Sequence, residues 1–234
     1  LIAADFSESI KQAMQSESRS DNEKKRDRNR RPVETLKFFG IKDDMKVLEL
    51  IPGGAWYTKL LAPALRDNGQ LYLSLGTKRL KESLLNKKPF DKVKLVGSEG
   101  YEFENLNFEV KDLDAVLTFR NYHNWVGNTE FEKLRAMFNT LKPGGILGIT
   151  DHRSNTTVDE KGYTCEPCMI KDAEAIGFIY VGSSQINANP KDTKDYPGGV
   201  WNLPPTLSEN RIDKSKLKKR QKELKKIGES DRYT

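Results

Sequence analysis

Side chains able to exchange protons are concentrated in two short segments of the sequence. His123 lies in "RNYHNW" and His152 in "DHR", and the chain has two histidines in all. An imidazole titrates near neutral pH, so it can act as an acid or a base under ordinary conditions. Asp151, Arg153 and Arg120 stand close to the histidines in these segments, and the group predicts a functional site. The alternative is structural: Asp151 caps the following turn and both arginines pair with acids.

A glycine-containing segment offers a second candidate site, this one for ligand binding. "ELIPGGAWYT", residues 49–58, follows an apolar run and has the outline of a nucleotide-binding turn. Glycine lets the backbone approach a bound ligand closely, and Gly53 and Gly54 are present. Some of the glycines usual in such a turn are missing.

Both segments lie within a repeated alternation of strand-like and helix-like runs. "VLELI", "GQLYLSL", "LDAVLTF" and "GILGITD" are typical of buried strands, and helical runs such as "KRLKESLLNKK" and "TEFEKLRAMFNTLKPGG" come between them. "MIKDAEAIGFIYVGSS" predicts a helix, a glycine and another strand. This order predicts an α/β fold: a Rossmann-like doubly wound, mostly parallel sheet with helices on both faces. Ligands of such sheets bind outside the carboxyl ends of the strands, where both candidate segments lie.

Composition divides the chain into three parts. Residues 1–31 predict a polar N-terminal helical arm, and residues 32–186 the α/β domain. Residues 187–234 predict a C-terminal extension, rich in Pro, Gly and Lys, that contains a basic helix. The closing "SDRYT" favours a short final strand. The path of residues 187–205 over the site, which would shape a pocket, stays open.

The composition is polar for a globular enzyme, with 36% hydrophobic and 32% charged residues. The net charge is +6, and the excess lies in two basic runs that also contain acids. Such runs are typical of solvated helix faces, so a nucleic-acid partner is not expected. No apolar run approaches the roughly 20 residues of a membrane span. The apolar residues 1–4 resemble the end of a cleaved secretory signal, and a chance apolar start is an equal alternative.

The two cysteines, Cys165 and Cys168, enclose Glu-Pro ahead of a helical pattern. A Cys-x-Pro-Cys sequence at a helix start resembles a redox site, because the helix N-terminus stabilises a thiolate. A thioredoxin-like motif follows an early strand, however, and this pair lies late in the chain. A structural disulfide or two ordinary thiols are therefore favoured. No Cys or His pair with zinc-ligand spacing accompanies them, so no metal is expected.

Together, "VLELIPGGAWYTKLLAPAL", "LDAVLTFRNYHNW" and "LKPGGILGITDHR" resemble class I S-adenosylmethionine-dependent methyltransferases. The resemblance is strongest to a bacterial family of predicted, often exported methyltransferases. Members of that family carry Pro-Gly-Gly in the first loop, Asn-Tyr-His after the fourth strand and Asp-His-Arg after the fifth. The resemblance covers residues 30–189 and implies methyl transfer from S-adenosylmethionine to a small-molecule acceptor.

The resemblance also implies roles for particular residues. The implied cofactor-binding residues are Glu49, Pro52, Gly53, Gly54, Tyr57 and Asn121. The implied catalytic residues are His123, as the base for a hydroxyl or amine acceptor, and Asp151 and His152, which would orient it or bind substrate. The residues expected to bind the acceptor are Tyr122, Trp125, Trp56 and Arg153, with core packing as the alternative for each aromatic side chain. The family's loop pattern is acidic-x-Gly-x-Gly-x-Gly, and Ile51 and Ala55 occupy the places of its first and third glycines. The resemblance also implies a carboxylate that binds both ribose hydroxyls where this chain has Leu75. The loss of that contact would weaken cofactor binding by on the order of 1.5–3 kcal/mol.

A second hypothesis is a methyltransferase-fold binding or interaction protein whose cofactor loop is degenerate. Export would favour it, because S-adenosylmethionine is made in the cytoplasm. The sequence favours a periplasmic or secreted location, with the cytoplasm as the alternative. A nucleic-acid methyltransferase is disfavoured, since no Asn/Asp-Pro-Pro-aromatic tetrapeptide follows the fourth strand. The oligomeric state stays open, with a homodimer through the arm or the basic helix among the options.

Overall fold

A computed structural model of the chain describes residues 6–102, 107–209, 215 and 217–234. It has two compact units: Leu1–Phe119 with Glu132–Gly148, here called the first unit, and Arg120–Phe131 with Ile149–Thr234, the second unit. The predicted arm belongs to the first unit and residues 187–234 to the second, and the three-part division of the sequence stays a prediction. Residues 1–4, with their resemblance to a secretory signal, lie outside the described residues, as does part of the C-terminal basic run.

Helices and strands alternate through most of the chain. The helices are α1 Phe6–Met14, α2 Asp21–Lys24, α3 Asp27–Arg30, α4 Pro32–Phe38, α5 Thr58–Leu65, α6 Lys78–Ser83, α7 Glu130–Thr140, α8 Glu166–Ile176 and α9 Leu217–Ile227. The strands are β1 Lys46–Leu50, β2 Gln70–Ser74, β3 Lys94–Leu95, β4 Leu113–Phe119, β5 Leu141–His152 and β6 Arg232–Tyr233. No helix among the described residues is long and apolar enough to cross a membrane.

The strands form one six-stranded sheet in the order β3-β2-β1-β4-β5-β6. β1 pairs in parallel with β2 and β4, and β2 pairs in parallel with β3. β6 runs antiparallel to the end of β5, with Asp151 opposite Tyr233. β1 and β4 are buried along most of their length, which explains why both read as continuous apolar runs rather than alternating ones. The predicted Rossmann-like, mostly parallel sheet is confirmed.

The arm is fixed within the first unit by cationic side chains around Trp56. The Trp56 indole donates to the Glu23 carbonyl (3.0 Å), and the guanidinium carbons of Arg19 and Arg30 lie 5.0 and 4.6 Å from the centre of its ring. Lys59 pairs with the Glu23 carboxylate at 2.8 Å. Arg30 is only 6% exposed, so this part of the predicted solvated charge run is buried instead.

Two predicted boundaries differ from the structure. Residues 178–184, predicted as a strand, are in no strand, and Ile179 and Val181 are 86% and 96% exposed. The segment buries too little apolar surface to stabilise a strand, and the partner of the end of β5 is β6 instead. The Lys-Pro-Gly-Gly predicted to stop α7 lies inside β5, because the helix already ends at Thr140. The predicted final strand is confirmed as β6.

Candidate cofactor loop and polar pocket

The loop after β1 holds backbone conformations that favour glycine. Ile51 and Ala55, which replace the first and third glycines of the usual pattern, have φ values of 50° and 63°, and Gly53 between them has 56°. A left-handed conformation costs a residue with a Cβ roughly 1–2 kcal/mol. The loop therefore retains a glycine-type backbone at two positions that have lost the glycine.

The same loop leaves open space beside its backbone. A methyl group added at Gly53 or at Gly54 would meet no atom within 4 Å. The carbonyl of Pro52 accepts the N–H of Ala55 at 2.9 Å, which closes the turn. Both glycines are exposed, so a ligand can approach the backbone here without displacing a side chain.

Glu49 connects the end of β1 to the start of α5. Its carboxylate accepts a hydrogen bond from the Thr58 hydroxyl at 2.7 Å, and the residue is 2% exposed. Burial raises the pKa of Glu49 to about 7, against the smaller lowering by Thr58. A buried carboxyl that titrates near neutrality lies directly beneath the loop.

Two buried hydroxyl groups lie at the end of β2, next to the position at which the resemblance implies a ribose-binding carboxylate. Leu75 holds that position with a φ of 63° and is fully buried. Ser74 and Thr77, 0% and 1% exposed, flank it. Neither hydroxyl has a hydrogen-bond partner among the described residues. Such unsatisfied buried groups are uncommon and call for a partner.

The two aromatic residues of the loop face the core of the first unit. Tyr57 stacks on Phe119 with ring centres 3.5 Å apart and planes inclined by 9°, and its hydroxyl donates to the Arg30 carbonyl at 3.4 Å. Trp56 is enclosed by the arm, as described above. The cofactor role predicted for Tyr57 and the acceptor role predicted for Trp56 stay predictions.

Asp151 and His123 form a hydrogen-bonded dyad in the second unit. His123 Nδ1 lies 2.9 Å from Asp151 Oδ1, and the backbone N–H of His123 donates to Oδ2 at 2.8 Å. The backbone N–H of His152 donates to Oδ1 at 2.8 Å. Asp151 is fully buried, and a carboxylate accepts hydrogen bonds, so Nδ1 carries the ring proton. The basic nitrogen of His123 is therefore Nε2, which makes no hydrogen bond to the described residues.

His152 is held by a different partner. Its Nδ1 lies 2.5 Å from Ser230 Oγ, and its Nε2 lies 3.9 Å from Asp151 Oδ1. One ligand atom from each of His123, Asp151 and His152 lies within 4.8 Å of the others, which is a spacing that a metal ion can use. Three N–H groups already donate to the Asp151 carboxylate. The arrangement is therefore that of a base, His123, whose ring is oriented by Asp151. The expectation of no metal stays a prediction.

A cavity of about 220 Å³ opens beside this dyad, within the second unit. Its polar lining consists of Arg120, His123, Asn124, His152, Thr206, Glu229 and Ser230. Its apolar lining consists of Val200, Trp201, Pro204 and Pro205. The structure thus brings together both predicted histidines and the rim arginine Arg120 with the C-terminal extension.

The other predicted residues of this region lie elsewhere in the second unit. Tyr122 is 1% exposed and donates to Asp172 at 2.8 Å, and burial together with Asp172 raises its pKa. Trp125 packs edge-on to Tyr122 and is 3% exposed. Asn121 is 7% exposed at the start of a short 3-10 helix. Arg153 pairs with Glu166 at 3.1 Å, as the structural alternative proposes. The binding roles predicted for these residues stay predictions.

Sequence reasoning did not single out three residues that line the cavity: Trp201, Glu229 and Ser230. Glu229 approaches Arg120 at 4.0 Å and Arg232 at 3.2 Å. Trp201 has a partial signal in the sequence, because the unusual "YPGGVWNLPP" indicates a folded extension rather than a solvated tail. Glu229 and Ser230 carry no such signal, since they lie about 80 residues after the histidine that they accompany.

Cys165 and Cys168 form a disulfide at the start of α8. Cys165 occupies the N-cap position, and the backbone N–H of Cys168 points at its sulfur at 3.2 Å. The pair is thus a disulfide rather than two free thiols. Neither cysteine lines the cavity.

Solved structures with the same fold are methyltransferases and related enzymes. The chain is similar to an S-adenosylmethionine-dependent methyltransferase from Aquifex aeolicus, with 18% identity, a TM-score of 0.57, and coverage of 77% of this chain and 93% of that chain. It is similar to the cyclase SpnF with 16% identity, a TM-score of 0.53, and coverage of 68% and 60%. No protein-family model and no curated protein matches the sequence. At these identities the likeness shows the fold, which is the Rossmann-like methyltransferase fold.

Proposed function

We propose that this protein transfers the methyl group of S-adenosylmethionine to a small-molecule acceptor. The observation that carries the proposal is the loop backbone: Ile51 and Ala55 both keep the left-handed conformation in which their side chains are strained. Strain of this kind is concentrated at ligand sites, where the surrounding structure maintains it. The fold supports the proposal, because the loop lies at the carboxyl end of β1, and ligands of such sheets bind outside the carboxyl ends of the strands.

The residues of the first unit fit the cofactor. Open space at Gly53 and Gly54 allows close approach of the backbone. The unpartnered buried hydroxyls of Ser74 and Thr77 offer hydrogen bonds that replace those of the missing ribose carboxylate. Glu49 would order the amino-acid end of the cofactor by way of the loop. When bound, S-adenosylmethionine supplies a methyl group on a positively charged sulfur.

The residues of the second unit supply the acid–base part of the reaction. His123 Nε2 takes the proton of the acceptor, while Asp151 fixes the ring and stabilises the imidazolium that forms. His152, fixed by Ser230, lines the same cavity and binds the acceptor. Oriented bases of this type contribute roughly 10²–10⁴-fold to a rate.

The experiment is detection of S-adenosylhomocysteine by mass spectrometry after incubation with S-adenosylmethionine and a panel of hydroxylated small molecules. We expect product with at least one acceptor, a large loss in His123→Gln, and the same rate with EDTA present. If product formed only after a metal ion was added, the result would indicate a metal centre in place of the base His123. Absence of product with every acceptor, together with absence of cofactor binding, would favour the binding-protein alternative, which the buried Leu75 in place of a carboxylate supports.

We also propose that the protein works outside the cytoplasm, in a periplasmic or secreted location. The disulfide between Cys165 and Cys168 supports this, because disulfides persist in oxidising compartments. Fractionation of cells that make the full-length protein tests the proposal, and recovery in the cytoplasmic fraction alone would contradict it.

A further inference from the structure

We infer that the cavity of the second unit takes a small, planar hydroxyl compound that is uncharged when it binds, a phenol or an enol, as the methyl acceptor. This inference rests on the proposed function and narrows it. Four properties of the cavity carry it: its size, its flat apolar wall, its balanced charges and the basic nitrogen of His123.

The size of the cavity limits the acceptor to about one ring. Its volume of about 220 Å³ lies below the range that begins at about 300 Å³ for drug-sized ligands. A single six-membered ring with one or two small substituents fits this volume. A nucleotide, a peptide or a fused multi-ring compound does not.

The apolar wall favours a flat acceptor. Trp201 stands 6.1 Å from the His123 ring, with the two planes inclined by 70°. Trp201 is 42% exposed although it lines the cavity, so part of its indole surface is available to a ligand. Pro204 and Pro205 continue the wall without donating a backbone hydrogen bond. A planar ring gains stacking energy against such a wall, whereas a puckered alcohol gains less.

The charges around the cavity are balanced. Arg120 and Arg232 approach Glu229 at 4.0 and 3.2 Å, and Asp151 adds a second buried carboxylate. The two guanidinium groups are therefore matched in number by two carboxylates, of which Glu229 lies near both. A carboxylate ligand would have to compete for cations that are already paired, and an ammonium ligand would be repelled by Arg120. A neutral hydroxyl compound pays neither electrostatic cost.

The base selects an acidic hydroxyl. An imidazole oriented through Nδ1 accepts a proton at Nε2. This nitrogen is basic enough to take the proton of a phenol or an enol but not that of an alkyl alcohol, whose hydroxyl is far less acidic. In the transfer, the acceptor oxygen bonds to the methyl carbon as its proton passes to His123 Nε2. The electron pair of the broken carbon–sulfur bond stays on sulfur, which leaves neutral S-adenosylhomocysteine and a protonated His123. Asp151 balances the charge on that ring.

The test is a titration of the whole protein with para-nitrophenol in the absence of S-adenosylmethionine, followed by the visible absorbance of the phenolate. We expect saturable binding and a larger phenolate fraction than in buffer at the same pH. Trp201→Ala should weaken binding about tenfold. His123→Gln should retain binding and lose the extra phenolate. Tyr180→Ala removes an exposed aromatic side chain that does not line the cavity, so this control should bind like the wild type.

Two comparison ligands complete the test. Para-nitrobenzoate carries a carboxylate and should bind at least tenfold more weakly than the phenol. Para-nitrobenzyl alcohol is neutral but has a hydroxyl of low acidity, so it should bind without transferring its proton to His123. Equal or tighter binding of the benzoate, or binding of the phenol that Trp201→Ala leaves unchanged, would overturn the inference. Because no cofactor is present, these results concern the acceptor class alone, and failure of the proposed methyl transfer would instead appear as absence of cofactor binding.

Discussion

Asp151 holds His123 through both of its oxygens, with Oδ1 2.9 Å from the ring Nδ1 and Oδ2 accepting the His123 backbone N–H at 2.8 Å. The carboxylate fixes the ring proton on Nδ1 and leaves Nε2 as the base. Asp151→Asn should therefore lower kcat by roughly 10²–10⁴-fold, because the amide allows the other tautomer and no longer stabilises the imidazolium. Steady-state kinetics measures this, with the affinity for S-adenosylmethionine followed in parallel.

Asp195→Asn is the matched control, since Asp195 accepts from Thr193 on the surface of the same unit. It should leave kcat within about twofold of the wild type. If Asp151→Asn turned over at the wild-type rate, or if both variants lost activity equally, the dyad would not be the acid–base group.

Glu49 gives the protein a pH-dependent stability. Burial raises its pKa from 4.5 to about 7, so the folded protein keeps a proton between these pH values that the unfolded chain releases. The free energy of unfolding from this group is therefore highest below pH 4.5 and falls by roughly 3 kcal/mol as the pH rises to about 7. Urea titrations of the wild type and of Glu49→Gln across this range measure it. The difference between the two proteins should change with pH in that direction, and a constant difference would mean that Glu49 does not titrate there.

A substitution at Trp56 distinguishes a structural role of the indole from a role in acceptor binding. Trp56→Phe removes the hydrogen bond to Glu23 and part of the surface against Arg19 and Arg30. We expect a loss of about 1–3 kcal/mol in the free energy of unfolding and an unchanged KM for the acceptor. A raised KM at unchanged stability would show instead that the indole contacts the acceptor.

Mass spectrometry tests the disulfide. The denatured protein treated with iodoacetamide should carry no alkyl group without reductant and two after reduction, because Cys165 and Cys168 are paired. Alkylation of both cysteines without reductant, in protein purified from an oxidising compartment, would contradict the pairing.

The sequence predicted the sheet because its central strands, β1 and β4, are buried along most of their length. The run "LDAVLTF" matches β4 residue for residue, and Gly40, two residues after the end of α4, has the left-handed φ of 69° that favours glycine after a helix. Where burial is partial, the pattern fails. "FIYVGSS" has strand-forming residues, but its side chains are exposed and β6 pairs with the end of β5 instead.

The candidate site was only half predictable for a related reason. Asp151 and His152 end β5, and His123 follows the neighbouring strand β4, so their meeting follows from topology. Trp201 and Ser230 reach the cavity through a long extension whose path depends on tertiary contacts that no local pattern encodes. The left-handed backbone at Ile51 is unfavourable for a β-branched side chain, so the sequence does not predict it. Only the structure shows that the loop keeps this conformation.

A calorimetric titration of the wild type, Gly54→Ala and Gly182→Ala with S-adenosylmethionine and S-adenosylhomocysteine decides whether the loop after β1 holds the cofactor. A methyl group at either glycine meets no atom within 4 Å, and neither residue needs a left-handed backbone, so both variants should fold with the stability of the wild type. We expect saturable binding to the wild type and to Gly182→Ala, and at least about tenfold weaker binding to Gly54→Ala, where the added group fills the space beside the loop. No heat at millimolar ligand, or equal binding by all three proteins, would contradict the claim that this loop holds the cofactor.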